Sequence, residues 1–420
     1  MSIKMIGDVD PNRLFCSGSF TKLLTTYVCL SLLSEKHSIL EILDDDLFLD
    51  QISKPKQAKE FLRLFQDLIG NKFSLHDICS HYAGLPYTFD ISNQELDLVE
   101  KGQSLKHHSI LDENTFLSMC RSNLTPIYTN RCKFHYSEIS IIFLGYLIEK
   151  IYHLKIEDLY DQYLFKKFNL KKSMFSRTKV SNVYCEDLST KYDYPSVAIL
   201  DHGYFCYSNG FFTTLNDMKI LLENILNEPI FHIMTDLKIA RAASNTIMNG
   251  LAVELRQING DIIYGYEGLS YSGCNIWAYS TKHKQGFLTF TDDEEAAYPI
   301  IYDNWNYTVF DKAPLHTQQI YQHFLKNDFR DSATTDIPKE YQGHYKRVSL
   351  NETSLDLTFT VGNNFIVIRD PDEIKYDVTN FKNDYWIKGK DQIHGAKVGF
   401  VQSKQGHRYM YHDGTLYKKM

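Results

Sequence analysis

Ser19 and Lys22 stand three residues apart in the stretch Phe15-Cys16-Ser17-Gly18-Ser19-Phe20-Thr21-Lys22. On a helix that spacing puts both on one face, where their side chains can meet. A serine hydroxyl is a weak nucleophile until a base takes its proton, and a lysine stripped of water has a lowered pKa and can act as that base. Gly18 permits the tight turn that starts such a helix, with Ser19 in its first turn. The residues that follow, Leu23, Leu24, Tyr27, Val28, Leu30, Leu32 and Leu33, are apolar on most sides before Glu35 is reached. That is the pattern of a buried helix. The chemistry implied is a lysine-activated serine.

A two-residue motif is a hypothesis that context must carry. The same spacing recurs at Ser53/Lys56, with Pro55 inside it, and at Ser176/Lys179, in a polar segment. Neither opens a buried helix.

The bulk composition narrows the remaining classes. With 420 residues and 43% hydrophobic content, the chain can bury a large core and still supply a second domain. A net charge of −7 gives no basic surface for nucleic acid or anionic lipid. The eight cysteines, at 16, 29, 79, 120, 132, 185, 206 and 274, contain no Cys-x-x-Cys pair. This reads as free thiols in a reducing compartment, without a disulfide frame or a zinc site. The first residues are too short and polar for a signal peptide, and the run Ile139 to Ile148 is too short to span a bilayer. A soluble, cytoplasmic protein without metal or cofactor is expected, and its oligomeric state is left open.

The elements that must position the serine follow from periodicity. Lys56 to Ile69 reads as an amphipathic helix closed by Gly70, and Phe73 to Pro86 as a short helix ended by Gly84 and Pro86. Residues 91–122 look helical and charged, with His107-His108 a solvated pair. Helices are expected at Ile139 to Ile151 and Ile156 to Phe168, and from Leu215 to Leu226 behind a Thr214/Asp217 capping box. From residue 251 the period becomes two. A hairpin is expected across Asn259-Gly260, with strands at Cys274 to Ser280 and Gly286 to Thr291, and a closing helix at Pro314 to Asn327. Residues 328–338 read as a linker. Six strands beyond it, Tyr341 to Arg347, Leu355 to Val361, Phe365 to Arg369, Tyr385 to Gly389, Val398 to Gln402 and Tyr409 to His412, suggest a small barrel or sandwich.

Four ordered segments give the serine its context: Gly18 to Lys22; Ser80-His81-Tyr82-Ala83-Gly84-Leu85-Pro86; Tyr136-Ser137-Glu138 with Leu144 to Glu149; and Gly210 to Asp217. Over residues 10–325 the chain resembles the serine β-lactamase-related family of class C β-lactamases, D,D-carboxypeptidases and esterases. His81 lies in a stretch similar to that family's His-Thr-Ser-Gly-Leu-Pro segment and is expected to be a structural hydrogen-bonder. The resemblance implies an α+β fold, an antiparallel sheet flanked by helices, with the small all-β domain following. It implies Ser19 as nucleophile, Lys22 as its partner and Tyr136 as proton shuttle. It places the third motif at Gly265-Tyr266-Glu267-Gly268, with an oxyanion hole formed by the backbone N–H groups of Ser19 and Leu269.

Departures from the family pattern shape the expected substrate. Glu138 stands where the family has Asn, and Tyr266 and Glu267 where it has a cation and a small hydroxyl residue. Glu138, Tyr266, Glu267 and Gly268 are expected to line the substrate site, and Glu267 to repel a substrate carboxylate. A Glu138 facing Lys22 would hold its proton and weaken it as a base. Only 18 residues precede Ser19, room for one short strand where the family has a helix and two strands. Two functions fit: a serine hydrolase working through an acyl-enzyme on an ester, small amide or peptide and poor with β-lactams, or a degenerate homologue serving as a binding or scaffolding protein.

Overall fold

A computed structural model describes residues 2–6, 10–89, 113–122, 124, 134–177, 203–243, 248–258, 261–270, 273–291, 336–347, 358–363, 365–369, 374–381, 384–388, 396–403, 405–412 and 415–420. The first part of the chain is built on a seven-stranded sheet. Its strands are β1 (Ser2–Ile6), β5 (Arg241–Ala242), β6 (Met248–Asn249), β7 (Glu254–Ile258), β8 (Asp261–Ser270), β9 (Gly273–Ser280) and β10 (Gln285–Thr291). They lie in the order β1-β10-β9-β8-β7-β6-β5. All neighbours are antiparallel except β1, which runs parallel to β10 with Ser2 opposite Gln285. Two short strands precede Ser19 where room for one was expected: β1 forms one edge of this sheet, and Phe15–Cys16 pairs in a separate one. The other edge is supplied late in the chain by β5 and β6.

A second, three-stranded sheet in the order β2-β4-β3 carries the nucleophile segment: β2 (Phe15–Cys16), β3 (Met174–Phe175) and β4 (Phe211–Thr213). From β2 the chain turns at Gly18, whose φ of +54° suits glycine, into helix α1 (Phe20–Ser34). Every residue of α1 from Phe20 to Leu33 is buried, and Thr21 and Thr25 find partners in the chain around it. Thr25 donates to the Tyr207 carbonyl at 2.6 Å, and Thr21 Oγ1 accepts from the Phe211 N–H at 3.1 Å. A helix so enclosed is held by packing rather than by propensity.

Around α1 stand α2 (Lys56–Ile69), α3 (Leu75–Cys79), α4 (Glu113–Ser122), α5 (Glu138–Tyr152), α6 (Ile156–Tyr160), α7 (Cys206–Asn209), α8 (Leu215–Ile225) and α9 (Pro229–Met234). Helix α1 packs on α5, α6, α7 and α9 and on β8. Gly145 in α5 lets that helix approach α7, since a Cβ there would lie 2.3 Å from the Tyr207 ring.

Several expected boundaries shift for local reasons. Helix α3 ends at Cys79, before Gly84 and Pro86, because His81 takes a left-handed φ of +61°. The helix expected to run on from Ile156 to Phe168 passes through a π-helical turn at Asp161–Lys166. Only half of the Thr214/Asp217 box forms. Thr214 accepts from the Asp217 N–H, but the Asp217 carboxylate accepts from Lys172 N at 2.7 Å and Ser173 Oγ at 2.9 Å. The closing helix at 314–327, the linker through residue 335, the His107-His108 pair and the Asn259-Gly260 turn lie outside the described residues.

The last part of the chain is a closed antiparallel barrel of eight strands in chain order: β11 (Gly343–Arg347), β12 (Thr358–Val361), β13 (Phe365–Arg369), β14 (Ile374–Phe381), β15 (Asp384–Lys388), β16 (Ala396–Gln402), β17 (Arg408–His412) and β18 (Thr415–Lys419). β11 pairs with both β12 and β18, which removes the free edges. The strands β14 and β18 go beyond the six expected. Their sequences, IKYDVTNF and TLYKK, mix charge into the apolar alternation. Among the described residues no helix is long and apolar enough to cross a membrane.

Candidate active site

The site lies where the start of α1, the start of α5 and the end of β8 converge. Ser19 precedes the first residue of α1, and the N–H groups of Phe20, Thr21 and Lys22 are taken by the carbonyls of Ser17, Gly18 and Ser19. One turn later Lys22 Nζ donates to Ser19 Oγ at 2.7 Å. Lys22 is fully buried. Its ammonium also contacts Glu138 Oε1 at 2.7 Å and lies 4.8 Å from the centre of the Tyr136 ring.

Tyr136 and Glu138 flank Ser137, the N-cap of α5, whose hydroxyl accepts from Ser140 N at 3.0 Å and donates to the Pro86 carbonyl at 2.6 Å. This cap fixes the start of α5. His81 grips the same loop on both sides of Tyr136. Its carbonyl accepts from His135 N at 2.8 Å, its Nδ1 accepts from Ser137 N at 3.3 Å, and its ring centre lies 5.0 Å from that of Tyr136. An accepting Nδ1 puts the proton on Nε2. Burial, with the Lys22 charge nearby, pulls His81 down to about 3, so the ring is neutral. The structural role expected of it becomes specific: it holds Tyr136 in place.

The Tyr136 phenol is pushed well above its ordinary value by burial, then by Tyr266 and Glu138, with the Ser19 side chain opposing. It rests as a proton donor. Tyr266 is buried and donates to the Tyr136 hydroxyl at 3.5 Å, its own phenol also held protonated chiefly by burial.

The strand wall is fitted against the nucleophile loop. A Cβ on Gly268 would sit 1.9 Å from the Ser17 carbonyl oxygen, so only glycine allows the approach. Asn275 Nδ2 ties the two together, donating to Ser17 O at 3.0 Å and Gly268 O at 3.2 Å, and Ser270 Oγ donates to Cys16 O at 3.0 Å. β7 begins at Glu254, opposite Gly265, so along Tyr266–Ser270 the described partner strand is β9 alone. Leu269 stands one residue past Gly268 on this stretch.

Two of the residues expected to line the substrate site sit elsewhere. Glu138 is 1% exposed, with Oε1 on Lys22 and Oε2 accepting from Asn209 Nδ2 at 3.1 Å. Both oxygens are used beneath Lys22, so it is placed to hold the lysine and not a substrate. Tyr266 likewise serves Tyr136. Glu267 is exposed. The surrounding chain removes part of its hydration and Glu254 adds repulsion, which raises its carboxyl to about 7. Asn209 and Asn275 were not singled out by sequence. Asn209 offers one signal, an amide embedded in the otherwise enclosed Cys206-Tyr207-Ser208-Asn209 helix.

A family model described as Beta-lactamase matches residues 4–297. No curated protein matches the chain in sequence. Among solved structures the chain is similar to SurE with D-Leu, with a TM-score of 0.52 at 13% identity over 98% of this chain and 88% of that one. Similarity extends to an octameric penicillin-binding protein homologue from Pyrococcus abyssi, with TM-score 0.49, 13% identity, 97% of this chain and 89% of that one. A class C beta lactamase from Rhodobacter sphaeroides gives TM-score 0.47 at 15% identity over 70% of this chain and 85% of that one.

Proposed function

This chain belongs to the beta-lactamase family, and from that premise we propose that it is a serine hydrolase that forms an acyl-enzyme on Ser19. The carrying observation is the 2.7 Å contact from the buried Lys22 Nζ to Ser19 Oγ at the start of a buried helix. Ser19 Oγ attacks the carbonyl of an ester, small amide or peptide. The oxyanion sits between the N–H groups of Ser19 and Leu269. Tyr136, resting protonated beside Ser19, supplies the proton to the leaving group. Water then releases the acyl group from Ser19.

Labelling with a fluorophosphonate or an activated ester, read by intact mass, tests this proposal. The wild type should gain one adduct and Ser19→Ala none. An equal adduct on both would overturn it.

A second reading has its own observation. The Glu138 carboxylate, 2.7 Å from Lys22, favours the ammonium over the amine, which fits a homologue that binds without turning over. A folded wild type that never acquires a Ser19-dependent adduct would select this reading.

The exposed Glu267 bears on substrate charge. A carboxylate placed about 4 Å away meets a repulsion of only about 1 kcal/mol when water screens it. The expected discrimination is therefore about fivefold to tenfold. Neutral or cationic donors are preferred over penicillins and cephalosporins. Because dehydration and Glu254 raise the carboxyl above its ordinary range, with Arg256 opposing, the discrimination against anions should fade as pH falls and the carboxyl takes up its proton. Tyr266→Lys with Glu267→Thr should shift the preference toward anionic β-lactams. Efficient wild-type turnover of a β-lactam would contradict this placement of Glu267.

A further inference from the structure

Resting on the reading of Ser19 as nucleophile, we propose that Glu138 is the terminal proton acceptor of a relay that runs from Ser19 Oγ through Lys22 Nζ to Glu138 Oε1. Both links are 2.7 Å long, and Lys22 and Glu138 are 0% and 1% exposed. The other carboxylate oxygen is held by Asn209, whose Nδ2 donates to Glu138 Oε2 at 3.1 Å and to Ser208 Oγ at 3.0 Å.

The groups that face this pair leave the carboxylate as the acceptor. From the segment after α3 comes His81, whose Nδ1 is occupied by the Ser137 N–H. From the loop before α5 comes Tyr136, and from β8 Tyr266, both held as phenols by burial. Tyr87 acts on Tyr136, and Glu254 and Glu267 act on Tyr266. Lys22, already an ammonium beside a carboxylate, has no vacant lone pair for the serine proton unless it passes a proton on.

The transfer balances without a co-reactant. As Ser19 Oγ bonds to the acyl carbon, its proton goes to Lys22 Nζ, another Nζ proton goes to Glu138 Oε1, and the carbonyl electron pair moves onto the oxyanion. Lys22 stays an ammonium throughout. The negative charge that it neutralises moves from Glu138 to the oxyanion, so the enclosed site holds the same net charge before and after attack. On collapse the leaving group takes the Tyr136 proton, Lys22 refills Tyr136, and Glu138 returns its proton to Lys22. The serine proton thus leaves with the departing group.

The test is the pH dependence of acylation by a neutral activated ester, followed by intact mass on the full chain. The relay needs only one proton shared by the Lys22–Glu138 pair, so the wild-type rate should stay within about threefold from about pH 6 to about pH 9. In Glu138→Gln, Lys22 must first lose its proton to solvent. Its rate should fall about 100-fold near neutrality and climb about tenfold per pH unit. Glu138→Asp, which keeps a carboxylate, should restore the flat profile at a lower rate. If Glu138→Gln does not fold, the wild-type and Glu138→Asp profiles decide. A wild-type rate that climbs tenfold per pH unit, or a Glu138→Gln variant that equals or exceeds the wild type near neutrality, overturns the relay alone. Absence of any Ser19-dependent wild-type adduct across the range overturns the nucleophile reading together with it.

Discussion

Lys22, fully buried, and Arg177, partly buried, both meet carboxylates, and they are held in different ways. Arg177 donates through Nε to Glu157 at 2.7 Å, through Nη2 to Glu149 at 2.5 Å and through Nη1 to the Tyr207 hydroxyl at 3.3 Å. Its planar fork is filled, and a guanidinium does not give up a proton in a protein. It fastens β3's trailing segment to α5, α6 and α7. Lys22 has one carboxylate, a phenol ring and the hydroxyl of Ser19. Its protons are exchangeable, and one already points at a candidate nucleophile. The same physics of charge burial therefore gives a fastening in one place and a site poised for proton transfer in the other.

Lys22→Met should separate them most sharply. Acylation of Ser19 should drop by about 10³-fold, the middle of the range for proton-transfer catalysis, and the unpaired Glu138 should cost about 3–5 kcal/mol of stability in a denaturant melt. Adding Glu138→Leu should recover that stability, or exceed the wild type by about 1 kcal/mol, with acylation still lost. If the double variant stayed unstable, the pair would be a fastening like Arg177 and the contrast would disappear.

Arg177→Met should cost about 3 kcal/mol, because Glu149 and Glu157 lose their partner. The adduct rate per folded molecule should remain within about twofold. A large fall in that rate would tie this network to the site.

Gly268→Ala sharpens the comparison from the strand wall. Its new methyl must displace the Ser17 carbonyl. Acylation should fall about 30-fold with about 1–3 kcal/mol of lost stability. Near-normal kinetics would show that the Ser17 loop can yield without moving Ser19.

The smallest effect at neutral pH belongs to His81, a buried group that is neither fastened by charge nor carrying one, and it grows only as pH falls. Its folded value of about 3 lies below the ordinary 6.5, so the unfolded chain binds a proton that the folded one refuses. Stability should therefore be complete above about 6.5 and fall by about 1.4 kcal/mol per pH unit down toward 3. His81→Gln should flatten this slope, as measured by melts at stepped pH. An unchanged slope would assign it to other groups.

The parts of this arrangement legible in sequence are those encoded by local spacing. Ser19 and Lys22 meet because they are one helical turn apart, whereas Gly268 was placed by resemblance to the family's third motif, and its close approach to Ser17 is a long-range contact. The limits of α2, Lys56–Ile69 with Gly70 left-handed at its end, follow from the apolar period and the Gly70 stop. What the sequence left open depends on distant partners. Whether Glu138 faced Lys22 or the cleft turns on the rotation of α5, which the Ser137 cap and the His81 grip set across some fifty residues of chain. Asn209 became meaningful only once its partner was known. The barrel strand β14 was hidden because its lysine, aspartate and asparagine interrupt the apolar period.

The parallel pairing of β1 with β10 also has a consequence in time. Ser2 finds Gln285, and the nucleophile loop finds Gly268, only after about 250 to 280 further residues have been made. At about 5–20 residues per second, that interval is roughly 15–60 s. Throughout it the apolar α1 has neither its strand wall nor its edge. The emerging chain is therefore a candidate client for chaperones that shield apolar segments, and any Ser19 chemistry is delayed until synthesis has passed the central sheet.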